Sequence, residues 1–367
     1  MKKKKIIALL ATAVMAVSLF AGCGSKDSAG EQSAEKKEKV KVGLSTDEGG
    51  LNDKSFNQAA DEGVKKAQKE LNVDYKPIES KQKEDYESNL EALVNDGSNL
   101  TFGIGYQMET AMTNVAKKYP DKNFAIVDTD KVKEPNVQCL TFRDNEGSFL
   151  MGVIAGKMTK TNKVGFIGGK DSAAINKFEV GFAAGVKSVN PEAAKGLIGT
   201  KDKPGSMVKY ADSFGDTNKG YELGKSLYGA GCDVVYHAAG GVGIGLFKAA
   251  KELNKPDKKI WAIGVDRDQA VEVKEYADII LSSMIKRVDV ATFNATKEVV
   301  DGKFKGGKHI ELGLKEDGVD IAPTSNKNTS KETLDLIEKY KKAIKDEKIK
   351  VPATRAELAK FTPTEIK

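Results

Sequence analysis

Asp128 and Asp266 each stand directly behind an apolar run of strand length, 124–127 and 260–265, and Asp47 stands three residues behind Leu44. Ionised carboxylates in such places accept N–H and O–H protons. Phe56 and Phe214 sit in polar company, Ser-Phe-Asn and Ser-Phe-Gly-Asp. A large apolar side chain in a polar loop needs more explanation than one inside an apolar run. Asn57 adjoins the first ring, Gly240 and Gly241 follow the run 234–236, and Lys286 follows the run 279–281. Acids, aromatic faces, glycines and one lysine suit a neutral, flat, hydroxyl-rich ligand, stacked by the rings and held through its protons. Each residue also has a plainer role. A loop Asp often caps a helix, and Lys286 could form a salt bridge, with Asp266 as one candidate partner.

These residues need elements to hold them, and the chain alternates strand and helix. Apolar runs of strand length at 100–104, 124–127, 164–167, 234–236, 260–265 and 279–281 follow a first strand around Val42 and Leu44. Helical spacing separates most of them, as with Ala60, Val64, Ala67 and Leu71. That rhythm predicts α/β architecture, parallel sheets covered by helices on both faces. So many strands suit two sheets, and ligands of such sheets bind beyond the carboxyl ends of the strands. A lobe boundary is expected between Phe142 and a turn at Glu146-Gly147. The chain is expected to return near 278–286, giving one lobe of 39–143 and 270–325 and another of 144–269 and 326–367. The lysine-rich helical stretch 331–347 reads as a solvated face.

Composition excludes several classes. The chain has 367 residues, 40% hydrophobic and 31% charged, ordinary for a globular protein. Without residues 1–22 the net charge falls from +6 to +2, and the chain has four arginines, so no nucleic-acid partner is expected. Gly241-Val242-Gly243-Ile244-Gly245 lacks the dinucleotide spacing, and no phosphate-binding Gly-Lys-Ser/Thr occurs. His237 and His309 are the only histidines and no GxSxG elbow accompanies them. Neither an enzyme nor a cofactor is expected. Cys139 and Cys232 lie inside apolar runs and read as buried thiols without metal spacing.

The first residues read as an address. Lys2 to Lys5 precede an apolar run at 6–21, then Cys23 and a polar stretch to about Lys39. This has the layout of a secretory signal and resembles a bacterial lipoprotein signal, although Leu19 stands four places before the cysteine rather than three. The resemblance implies a signal at 1–22, an acylated Cys23, a flexible tether at 23–38 and a body held at the outer face of the cell membrane. A repressor would carry a helix-turn-helix where this signal stands.

Asp53-Lys54-Ser55-Phe56-Asn57, Glu146-Gly147-Ser148-Phe149 with Gly152, Val164-Gly165-Phe166-Ile167-Gly168-Gly169, and Lys177-Phe178-Glu179 with Gly181-Phe182 and Gly185 follow in order. Together they resemble the basic membrane protein family of bacterial lipoproteins, from Val40 to about Asn326. The resemblance implies a type I periplasmic-binding-protein fold with a three-segment hinge. It implies a receptor that works with the permease and ATPase subunits of an ABC importer, with nucleosides, chiefly purine ones, as ligand. The family's base-stacking rings match Phe56 and Phe214, the acid at the base edge matches Asp128 with Asn57 beside it, and Asp266 and Lys286 match the ribose-holding pair. Asp47, Gly240 and Gly241 match further cleft positions. A monomer is expected. A sugar or small signal-molecule receptor of the same fold is the alternative.

Overall fold

The computed structural model describes residues 38–364 and 366; the expected lipidation site, Cys23, lies outside the described residues. Among the described residues twelve strands form two sheets: β1 (Lys41–Ser45), β2 (Asp74–Ile78), β3 (Leu100–Ile104), β4 (Asn123–Val127), β5 (Val137–Phe142), β6 (Val164–Gly168), β7 (Val208–Tyr210), β8 (Val234–Ala238), β9 (Trp261–Asp266), β10 (Ile280–Lys286), β11 (His309–Leu312) and β12 (Val319–Ile321). The first sheet runs β2-β1-β3-β4-β5-β11 and the second β7-β6-β8-β9-β10-β12. All pairs are parallel except β10 with β12. The two sheets thus repeat one doubly wound order, each with a sixth strand added at the edge.

Burial follows from this arrangement. Strands β3, β5, β6 and β8 are buried along their whole length, as expected of parallel strands covered on both faces. The motif glycines are explained by helix contact. A Cβ on Gly152 would lie 2.1 Å from the Phe182 carbonyl oxygen, and one on Gly185 would lie 2.0 Å from that of Phe149. The helices Asp144–Met158 and Ala173–Val189 therefore touch through backbone, which fixes how the second helix meets the cleft. Phe149 also packs edge-on against Tyr340 of the helix Lys331–Lys345 at 5.3 Å, so that helix covers the second lobe.

The expected return at 278–286 does not occur there. β10 pairs with β9 and stays in the second sheet. Its two serines are buried and bonded, Ser282 to Ser325 at 2.7 Å and Ser283 to the Gln269 N–H at 3.2 Å. Partnered hydroxyls let a Ser-containing strand lie inside. The chain crosses to the first lobe only after Lys286, where the helix Val288–Val300 packs on the helix Phe56–Leu71 and β11 joins β5. It returns at β12, so residues 270–286 and 319–325 belong with the second sheet. Glu146 and Gly147 are not a turn but lie in the first turns of the helix Asp144–Met158. The three crossings, 142–144, 286–288 and 312–319, lie side by side. Arg143 N–H donates to Leu312 at 3.0 Å and Arg287 N–H to Gly318 at 2.9 Å. Cys139 and Cys232 are buried free thiols. Among the described residues no helix is long and apolar enough to cross a membrane.

Candidate functional site

The carboxyl ends of β1, β3 and β4 face those of β6, β8 and β9 across the cleft, and the polar loops behind them meet there. Between them lies about 490 Å³ of space, which includes open solvent. Asp47, Phe56, Asn57 and Asp128 line it from the first lobe, and Phe214, Gly240, Asp266 and Lys286 from the second. Gly241 stands outside this lining. It precedes the helix Val242–Leu253 and lies against the Phe214–Gly215 backbone.

Asp128 and Asp266 hold equivalent places in the two sheets, each at the end of the fourth strand of the order. Both adopt left-handed backbone, with φ +69° and +65°. Such a conformation costs an L-residue roughly 1–2 kcal/mol. It is retained here where the side chains turn into the cleft. Gly240 takes the same conformation, φ +53°, without that cost.

Lys286 is the charge centre. Its ammonium lies 2.7 Å from Asp128 and 3.1 Å from Asp144. It is ringed by Phe56, Phe142 and Phe178, whose centroids are 5.0, 5.1 and 5.2 Å away. Asp266, the candidate salt-bridge partner, is not in contact with it; the carboxylates in contact are Asp128 and Asp144, and Asp266 accepts from the Ser55 hydroxyl. Burial opposes the charge on Lys286, but Asp128, Asp144 and Asp266 outweigh it and hold the ammonium well above its ordinary range. Burial pushes Asp266 up to about 7 and Asp47 to about 6, against the pull of Lys286 on the first and the Asn57 amide on the second. His237 is buried against Gln269 at 2.9 Å, and burial lowers it to about 4, so it stays neutral.

Among the contributors that escape the sequence reading, Asp53, Tyr106 and Phe178 line the cavity and Asp144 pairs with Lys286 beside it. Asp53 heads the helix Phe56–Leu71, accepting N–H bonds from Ser55, Asn57 and Gln58 at 2.9–3.1 Å. Its spacing before the helix was the available signal, but it reads as a cap. Tyr106, in the loop behind β3, meets the Phe214 ring edge-on at 6.5 Å. Phe178 lies in a helix whose apolar spacing reads as core, and Asp144 opens another helix.

The lobes also touch directly above the cavity. The Gln269 amide donates to the Lys54 carbonyl at 3.0 Å, Arg267 pairs with Glu62 at 2.6 Å, and Lys170 with Glu48 at 2.8 Å. The site is therefore an interlobe chamber, partly open to solvent, with more acids than bases, aromatic faces from both lobes and one lysine. It can receive a planar polar solute.

Residues 39–355 match the family described as ABC transporter substrate-binding protein, PnrA-like. The chain is 41% identical to the CD4+ T-cell-stimulating antigen of Listeria innocua, over 95% of this chain and 99% of the relative. It is 40% identical to the ABC transporter nucleoside-binding protein BmpA of Lactococcus lactis, over 96% and 99%. A solved solute-binding protein of an ABC transporter system from Aeropyrum pernix superimposes with a TM-score of 0.75 at 27% identity, covering 88% of this chain and 96% of that one.

Proposed function

Since the chain belongs to the PnrA-like family of ABC transporter substrate-binding proteins, we propose that it captures nucleosides, purine ones above all, and presents them to the permease of an importer. The observation that carries this reading is the pairing of Phe56 and Phe214, one from each lobe, on one cavity with Asp128, Asp266 and Lys286. A base offers two faces for stacking and an edge of donors and acceptors. A ribose offers hydroxyls that a carboxylate and an ammonium orient. The name of the Lactococcus lactis relative agrees with this. Ligand contacts to both lobes favour the closed state over the open one, which couples capture to shape.

Charge supplies the test. Among the described residues Asp47, Asp53, Asp128 and Asp266 line the chamber with a single lysine, Lys286. A monophosphate would add about −1.5 to −2 charges at neutral pH. Calorimetry should show nucleosides binding at least about tenfold more tightly than their monophosphates, a difference of about 1.4 kcal/mol. Equal affinities would mean that the acids do not face the ligand.

The reading includes the anchor. The lipoprotein-like leader and Cys23 support acylation and a place at the outer face of the membrane. Cys23→Ser should move the protein from the membrane to the soluble fraction of fractionated cells. Wild-type protein released as readily as the variant would refute a lipid anchor.

A further inference from the structure

Asn57 is the second residue of the helix Phe56–Leu71, and its side chain is buried. Its amide nitrogen donates to Asp47 at 2.8 Å and to Asp53 at 3.3 Å. Both neighbours are carboxylates, which accept and cannot donate while ionised. The opposite sense of the amide would set its oxygen against two carboxylate oxygens. Chemistry therefore fixes which end of the amide faces the acids. The other end, Oδ1, is buried in the cavity wall with no hydrogen-bond partner among the described residues. Asp128 supplies a second such atom: Lys286 occupies Oδ2, and Oδ1 is left without a partner. Asp53 cannot turn away from its task, because its two oxygens are held by the N–H groups of Ser55, Asn57 and Gln58.

We infer that Asp53 is a positioning residue that holds Asn57 as a hydrogen-bond acceptor, so that the chamber selects bases carrying an N–H donor on their edge. The inference rests on the nucleoside reading above and names the ligand class within it. A buried acceptor that receives no donor keeps its full desolvation penalty. A base with an edge N–H removes that penalty; a base without one leaves it in place. Adenosine has an exocyclic amino group and inosine a ring N–H. Purine riboside has neither, yet keeps the same fused ring and sugar.

Calorimetry of these three nucleosides with wild type, Asn57→Leu and Asp53→Asn tests this. Wild type should bind purine riboside about 5- to 150-fold more weakly than the better of the other two. In Asp53→Asn an amide replaces one accepting oxygen, Asn57 is free to turn, and the ratio should shrink at least about threefold. A merely structural role for Asp53 would weaken all three ligands alike and leave the ratio intact, which would overturn the assignment. Asn57→Leu keeps Asp53 and its cap, and its ratio should shrink too; an unchanged ratio would overturn the acceptor role of Asn57 and the inference with it. Wild type binding purine riboside within about twofold of both others overturns the donor requirement and leaves the nucleoside reading standing. Binding of none of the three would remove that reading, and the inference with it.

Discussion

Lys286→Met should destabilise the ligand-free protein by about 3–5 kcal/mol at pH 8, the cost of breaking a buried ion pair by removing one partner. Lys286 is 1% exposed and faces Asp128 and Asp144 directly, with Asp266 close enough to feel its charge. Methionine fills much of the volume among the three phenylalanines but leaves these acids buried without a counter-charge. The pH dependence has a definite sign. Asp266 stands at about 7 in the folded protein against 3.8 when free, raised chiefly by burial, and Asp144 is shifted the same way. An acid so raised contributes stability that is full below about 4 and is lost as pH rises through 7. Removing the ammonium raises both further. The deficit of the variant, measured by urea unfolding, should therefore narrow from pH 8 to pH 5. A deficit under about 1 kcal/mol at pH 8, or one that widens on acidification, would contradict the charge arrangement.

Phe214→Ala should weaken nucleoside binding by about 5- to 150-fold. The estimate borrows the roughly 1–3 kcal/mol that base–aromatic stacking contributes in single-strand binders. Phe56→Ala should act similarly. The two rings differ in setting: Phe56 is half-buried at a helix start, whereas Phe214 is 9% exposed and packs into the main core cluster. A purely core role predicts a different pattern, with about 3–5 kcal/mol of folding stability lost. Affinity must therefore be compared with the melting temperature of the ligand-free variant. Unchanged affinity in folded Phe214→Ala would remove that ring from the site, and the same result at Phe56 would end the two-ring account.

The legibility of the fold varied with the kind of contact involved. Buried parallel strands such as β3 and β6 are continuous apolar runs, so their places and the loops behind them could be read directly. Asp47, Asp128, Asp266 and Phe214 were visible for the same reason, as polar or misplaced residues behind those runs. β10 was assigned to the wrong lobe because an apolar run does not tell which sheet it joins; its place is fixed by pairing with β9 and β12, and its serines are buried on Ser325 and the Gln269 N–H. The ion pairs of Lys286 were equally hidden, since Asp128 and Asp144 reach it only after both lobes have formed. Asp53 and Asp144 were passed over because a helix-opening acid looks the same whether or not a cavity lies beside it. Gly241 was read with Gly240 because both follow the run 234–236 and match cleft positions of the family; in the structure it stands at the start of the helix Val242–Leu253, outside the cavity wall.

A thermal-shift series on the mature protein tests the central claim most directly. It would compare purine and pyrimidine nucleosides with free bases, ribose, hexoses and nucleoside monophosphates, all at one concentration. A ligand of the folded state raises stability as RT ln(1 + [L]/Kd), about 2.7 kcal/mol at one hundred times Kd. The account predicts the largest shifts for purine nucleosides, smaller ones for pyrimidine nucleosides, and little for bases, ribose or monophosphates at the same concentration. A hexose or a monophosphate giving the largest shift, with nucleosides inert, would contradict it.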